Sequence, residues 1–326
     1  MKFHWGDFLN RDFGHWHFVP NVERHKYWLS ENTDDATVTH ITIGKPIGDW
    51  QRVFDMPLLE ELTLHEPTAD QIVGLGRLKQ LKRLRITHAR PKTLEVLAEL
   101  PLVSELVLEY VSGFSDISPV GQMPALRALH IENLRRVRDF SPLKQASGLR
   151  YLSIHGTFDW KQTIDSIEFL SGLPQLEVLS LGSVPAVDAA KVPTLLEALT
   201  ELKFLSINSN QMPVETFAEI EVRFPHIEGT VQEAVTVNWQ GATPLPAGDP
   251  RLTLELAELK MNHPEIVIED DGRRLLASEY GPYFFLGKGR GMVMRTTKGA
   301  DERARRALAE YQGLLAHFRE KYPTTN

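Results

Sequence analysis

Apolar residues recur through the first two thirds of the chain in the spacing L-x-x-L-x-L. The copies are Val38, Ile41, Ile43; Leu59, Leu62, Leu64; Leu81, Leu84, Ile86; Val103, Leu106, Leu108; Leu126, Leu129, Ile131; Leu149, Leu152, Ile154; Leu176, Leu179, Leu181; and Leu202, Leu205, Ile207, with a weaker copy from Ile227. First positions lie 21, 22, 22, 23, 23, 27, 26 and 25 residues apart. The alternation around the last two apolar positions of each copy is the signature of a short strand with one buried face. A second apolar row follows about half a repeat later, as in Leu94, Leu97, Leu100; Ile117, Val120, Met123; and Ile167, Leu170, Leu173. One repeat alone cannot hide both rows from water, so the pattern predicts stacked coils sharing a continuous core.

Over roughly residues 36–230 this spacing resembles the leucine-rich repeat family. Phrases such as Asp116-Ile117-Ser118-Pro119-Val120 and Asp139-Phe140-Ser141-Pro142-Leu143 look like the internalin-type subclass, in which a tight turn or 3₁₀ segment replaces a long convex helix. The resemblance implies an α/β solenoid: a horseshoe with a parallel β-sheet on its concave face. The chain departs from the family at the ninth repeat position, where the usual asparagine is Pro67, Ala89, Val111, Leu134, Thr157 and Val184, and only Asn210 fits. Other groups must then satisfy the backbone at the inner turn.

The ends read differently. Residues 1–35, dense in aromatics from Phe3 to Trp28, are expected to cap the stack. His15-Trp16-His17 could chelate a metal from one strand face, although a cap histidine is the plainer account. Residues 231–250, rich in Pro and Gly around Gly241–Pro250, read as a linker. Beyond them, 251–326 read as a small α+β domain: a hairpin about Asp270-Asp271-Gly272, a second about Gly287–Gly291, and an amphipathic helix from about Asp301 with Ala304, Ala307, Leu308, Tyr311, Leu314, Leu315 and Phe318 on one face.

Composition narrows the possible functions. The 326 residues include no cysteine, which excludes disulfides, thiolate metal sites and cysteine nucleophiles. No run approaches the ~18 apolar residues of a membrane helix. The polar N-terminus lacks a secretory core, and a cytoplasmic location is expected. A net charge of −7 argues against general nucleic-acid binding. The exception is residues 77–92, "RLKQLKRLRITHARPK", which hold seven Lys or Arg and no acid. They offer a nucleic-acid alternative, but Arg83 between Glu61 and Glu105, and Lys82 beside Glu60, favour cross-strand charge pairing.

In a stacked sheet the outward positions form columns. One runs His40, Glu61, Arg83, Glu105, Ala128, Tyr151, Val178, Phe204; the next Thr42, Thr63, Arg85, Val107, His130, Ser153, Ser180, Ser206; the third Gly44, His65, Thr87, Glu109, Glu132, His155, Gly182, Asn208. From these, Glu61, His65, Arg83, Arg85, Glu109, His130, Glu132, Tyr151, His155 and Phe204 are the candidate partner-binding residues. Glu109, Glu132 and His155, with His130 beside them, could hold a divalent cation, against a plainer reading as solvated wall residues. Catalytic motifs are poor: Gly281–Lys288 matches a phosphate loop loosely, and Ser141-Pro142-Leu143-Lys144 matches a hydrolase spacing without its companions. The expectation is a non-enzymatic scaffold, without cofactor or small-molecule substrate. Its concave face would bind another protein, in the manner of an immunity or regulatory protein. The alternative is a metal-dependent or enzymatic role in the His/Glu column or the C-terminal domain.

Overall fold

The computed structural model describes residues 9–10, 17–18, 28–45, 48–157, 159–184, 188–237, 243–245, 247–269, 274–277 and 280–323. Most of the expected cap, including His15 and Trp16, and the turn Asp270-Asp271-Gly272 lie outside them. The chain divides into two compact units, Met1–Gln211 with His226–Thr230, and Met212–Pro225 with Val231–Asn326.

The first unit is a leucine-rich repeat solenoid. Its strands are β1 His40–Gly44, β2 Glu61–His65, β3 Arg83–Thr87, β4 Glu105–Glu109, β5 Ala128–Glu132, β6 Tyr151–His155, β7 Val178–Gly182 and β8 Phe204–Ile207. They form one parallel sheet in chain order. The register places Leu62, Leu84, Leu106, Leu129 and Leu152 side by side. Trp28 adds a single bridge before β1, beside Thr42, and Glu228 adds one after β8, beside Phe204. At that last rung Gly229 has φ +85°, and a Cβ there would sit 2.2 Å from the Leu205 carbonyl oxygen, so only glycine fits.

Short 3₁₀ segments form much of the back wall: Trp50–Asp55, Leu75–Arg77, Glu95–Glu99, Ser141–Gln145 and Glu168–Gly172. Short α-helices replace them at Ser118–Gly121 and Val192–Ala198. Asp116 and Asp139 each accept the backbone N–H two residues on (2.8 Å), so an Asx turn leads into each of these segments. Both apolar rows are buried, with Leu84, Leu94, Leu97, Ile117, Val120 and Leu129 at 0 % exposure. Burial of such side chains, worth roughly 1.5–3 kcal/mol each, holds one coil on the next.

The missing asparagines are replaced in two ways. Beyond the strands the backbone ladder continues: the N–H groups of Glu66, His88, Tyr110 and Asn133 donate to the carbonyls of Thr87, Glu109, Glu132 and His155 at 2.9–3.0 Å. All four residues have positive φ, between 49° and 58°. Behind them the ninth-position residues Ala89, Val111, Leu134 and Val184 are buried, so an apolar row stands where a polar one is usual. Buried glutamines then satisfy the turns from a distance. Gln162 accepts from Leu134 N–H (3.0 Å) and donates to the Val137 carbonyl (2.9 Å). Gln71 closes a capping box with Thr68. The Gln211 amide, with its nitrogen toward the Leu181 and Val184 carbonyls (3.2 and 3.1 Å), accepts from Ser183 and Val184 N–H. The extra residues of the 27-residue repeat carry Gln162 to its position.

The second unit holds α1 Val214–Arg223, β9 Val235–Val237, β10 Thr243–Pro244, α2 Leu256–Asn262, β11 Val267–Glu269, β12 Arg274–Ala277, β13 Pro282–Phe285, β14 Met292–Met294 and α3 Ala300–Lys321. Two antiparallel three-stranded sheets, ordered β9-β13-β14 and β10-β12-β11, contain both expected hairpins. Phe285 packs with Ala304 and Ala307 of α3, while Leu245, Leu259, Ile266 and Ala277 make a second small core. Leu308, expected on the apolar face of α3, is 47 % exposed, because the buried stripe runs Ala304, Ala307, Tyr311, Leu315, Phe318. Helix α1 groups with this unit although its sequence follows the repeat pattern. Tyr311 and Tyr322 of α3 donate hydrogen bonds to Glu221 and Glu219 of α1 (2.7 and 2.8 Å). Val235–Val237 is a sheet strand inside the segment read as a linker, consistent with its own alternation.

Two substitutions test this account. Leu129→Ala should cost roughly 2–5 kcal/mol in denaturant unfolding. Gln162→Leu, which strands the Leu134 N–H and the Val137 carbonyl, should cost about 1–3 kcal/mol. A Gln162→Leu variant as stable as the wild type would show that the turn does not depend on that amide.

Candidate functional site

The register assembles all three outward columns on one face of the solenoid sheet, because a period of two fixes which residues share a face. The ten candidate residues all lie there, and the face has two unlike halves. Over β1–β4 it is charged. Arg83 donates to Glu61 (2.8 Å), and the Arg85 Nε stands 3.9 Å from Glu109 Oε2. Over β5–β8 one column is apolar, where Ala128, Tyr151 and Val178 cluster with Val107 of β4 and Phe204 packs against them, while the other two columns stay polar, with His130, Glu132, Ser153 and His155.

Half of the ten candidate residues are buried rather than solvated. Glu61, Thr63, Arg85, Glu109, His130, Ser153 and Tyr151 are each at most 5 % exposed. With rungs about 4.8 Å apart, every side chain is flanked closely by its neighbours on either strand. His65, Arg83, Glu132, His155 and Phe204 keep intermediate exposure. Burial has an electrostatic consequence at Glu61, where desolvation outweighs the hydrogen bond and charge of Arg83 and pushes the carboxyl up to about 7.

The basic run is largely neutralised. Lys79 pairs with Glu99 (3.4 Å), Lys82 with Glu60 (2.6 Å) and Arg83 with Glu61 (2.8 Å). Arg77 lies over the Phe54 ring at 3.7 Å. This is the cross-strand pairing that the residue order suggested, and it leaves few cations of that segment for a nucleic-acid backbone.

The His/Glu column assembles differently from its expected form. Glu109, Glu132 and His155 occupy consecutive rungs, yet the His155 ring turns toward β7, where its Nε2 pairs with Ser180 Oγ (2.9 Å). Gly182 makes room for it, since a Cβ there would lie 2.6 Å from His155 Nδ1. His130 takes the place expected of His155. Ligand atoms of Glu109, His130 and Glu132 lie within 4.8 Å of one another, and His130 Nδ1 pairs with Ser153 Oγ at 2.9 Å. Burial, with the nearby His155 and Arg85, holds the His130 imidazole well below the usual histidine range, and it is neutral near pH 7.

The outward columns do not include a second cluster at the loop edge of the sheet. His65 and His88 meet edge to face (5.4 Å), and His88 stacks on Tyr110 (4.8 Å, 11°). A cavity of about 310 Å³ there is lined by Glu66, His88, Arg90, Tyr110, Ser112, Asn133 and Arg135. A fourth column, read two residues beyond the third leucine, would have found Glu66, His88, Tyr110 and Asn133. The weak catalytic matches fall on ordinary elements: Pro282–Phe285 is a strand, and Ser141 opens a 3₁₀ segment.

No protein-family model and no curated protein matches the chain. Among solved structures it is similar to an internalin (inlF) of Listeria monocytogenes, at 21 % identity over 55 % of this chain and 62 % of that one, with a TM-score of 0.36. It is also similar to internalin C2 of the same organism, at 23 % over 47 % and 62 %, TM-score 0.35. A leucine-rich repeat protein of Leptospira interrogans is 17 % identical over 52 % and 43 %, TM-score 0.36. The chain spans less than two thirds of each. Likeness at this level carries no argument, and the fold rests on the strand register.

Glu61 generates a pH prediction. Its folded carboxyl holds a proton up to about 7, whereas the unfolded side chain releases it near 4.5. Between those values the folded chain binds more protons, so the stability contributed by Glu61 falls as pH rises through the window. Glu61→Gln should flatten that decline, measured by urea unfolding at the acidic and alkaline ends of the window. An unchanged slope in the variant would place the titration elsewhere.

Proposed function

We propose that the chain is a non-enzymatic recognition protein whose inner wall binds a partner protein, acting in the cytoplasm in a regulatory or immunity role. The observation that carries this reading is that, on a single rigid sheet, ion pairs dominate the half over β1–β4 while an apolar column runs through the half over β5–β8. Such a surface fits a partner segment with one charged and one apolar end. A rigid backbone already holds the wall side chains in place, so less ordering entropy is lost on association. Arg83, Glu132, His155 and Phe204 span the boundary between the halves and retain exposure. An arginine and an aromatic are the residue types most often dominant in binding energy. Occupying a partner's surface requires no chemistry, which is how an immunity or regulatory protein acts.

Affinity capture with the full chain from its native cells, read by mass spectrometry, tests this directly. Combined Arg83→Ala, Glu132→Ala and Phe204→Ala substitutions should lower capture of the partner at least about tenfold, as expected from loss of ~1.4 kcal/mol or more, in a variant whose cooperative melting transition shows that it is folded. Undiminished capture by a folded triple variant would move the site off this wall.

A further inference from the structure

We propose that Glu109, His130 and Glu132 bind one divalent cation of the zinc class on the inner wall. The three come from adjacent strands β4 and β5, on rungs fixed by register, so the backbone of a rigid sheet sets their spacing. Their ligand atoms lie within 4.8 Å of one another. Two ligand atoms bound to one tetrahedral zinc ion at about 2.0–2.2 Å stand about 3.3–3.6 Å apart, so closure needs side-chain rotations that bring the ligand atoms together by up to about 1.4 Å.

A second observation points to a ligand. Glu109 is 5 % exposed, and its Oε2 is buried with no hydrogen bond. The nearest cation, Arg85, has its Nε at 3.9 Å, beyond hydrogen-bond range, so it eases the buried charge without occupying the lone pair. A buried carboxylate oxygen left this way is costly, and a metal ion is one of the few groups that satisfies it. His130 is suited to the same ion. Ser153 holds its Nδ1 at 2.9 Å, which fixes the ring plane and assigns Nε2 to the metal.

The donor set selects the ion class. One imidazole with two carboxylates favours zinc, manganese or another first-row ion over calcium and magnesium, which prefer oxygen alone. Two carboxylates offset the two charges of the ion, with the Arg85 guanidinium beside Glu109 as an added positive charge. Three protein ligands leave a further position, open to water or to a partner's carboxylate. The inference does not depend on the wall binding a partner, and its test uses no partner.

The full chain, stripped with chelator, is titrated with Zn²⁺ against a chromophoric competitor, and separately with Ca²⁺ and Mg²⁺. One equivalent of Zn²⁺ should bind, with Ca²⁺ and Mg²⁺ weaker. Glu109→Gln and His130→Ala should each weaken it by at least about tenfold, and Ser153→Ala, which only positions the ring, by about tenfold. A His15→Ala, His17→Ala double variant should bind as the wild type does. The proposal is overturned if the native chain binds no equivalent, if Ca²⁺ or Mg²⁺ binds more tightly, or if the wall variants bind normally. It is likewise overturned if only the double variant loses the ion. Should a wall variant fail to fold, the visible spectrum of Co²⁺ on the native chain decides: a spectrum like that of Co²⁺ in buffer sinks the site, and one showing imidazole and carboxylate coordination supports it.

Discussion

The whole solenoid depends on one constraint: a coil of about two dozen residues has more apolar surface than it can hide alone, and another coil must cover it. Leu84, Leu106, Leu129 and Leu152 meet side by side because each closes its neighbour's core, and the back row of Leu97, Val120, Leu143 and Leu170 does the same from behind. Lateral packing of this kind admits one register. A shift of one residue would turn every leucine to the opposite face.

Register in turn decides what the outer face can be. No strand chooses its wall residues independently of its neighbours, because side chains on adjacent rungs are only about 4.8 Å apart. Opposite charges therefore settle next to each other, as Glu61 and Arg83 do, and apolar groups form a continuous strip from Val107 to Phe204. The same crowding removes water, which is why Glu61 holds its proton so far above the ordinary carboxylate range despite an adjacent guanidinium. Wall chemistry here is closer to that of a buried interface than to that of an exposed surface.

The parts of this molecule visible in its sequence are those governed by periodicity. The two apolar rows, the three outward columns, the pairing of Lys82 with Glu60 and both C-terminal hairpins follow from spacing and turn chemistry. Features set by side-chain direction were not visible. Nothing in the order of residues says that His155 turns onto Gly182 and leaves its place to His130. The burial of Glu61, Arg85, Glu109, His130 and Tyr151 is hidden for a related reason, since alternation marks a residue as outward without showing how closely its neighbours crowd it. Gln162 escapes any periodic reading, because it serves a turn 28 residues earlier from within an irregular loop. Helix α1 fits the repeat period yet groups with the second unit, through tyrosine contacts that lie far off in sequence.

Unmet polar groups are spread unevenly between the inner turns and the wall. At the inner turns, where the usual asparagine is gone, Gln71, Gln162 and Gln211 restore the hydrogen bonds, so the structural part of the coil is closely satisfied. On the wall the opposite holds: Thr63 Oγ1 and Glu109 Oε2 are buried with no hydrogen bond. Selection for stability alone would favour apolar groups at both positions, since an unmet buried polar atom costs about 1–3 kcal/mol. A bound group that met the atom would remove such a penalty, as the proposed cation would at Glu109.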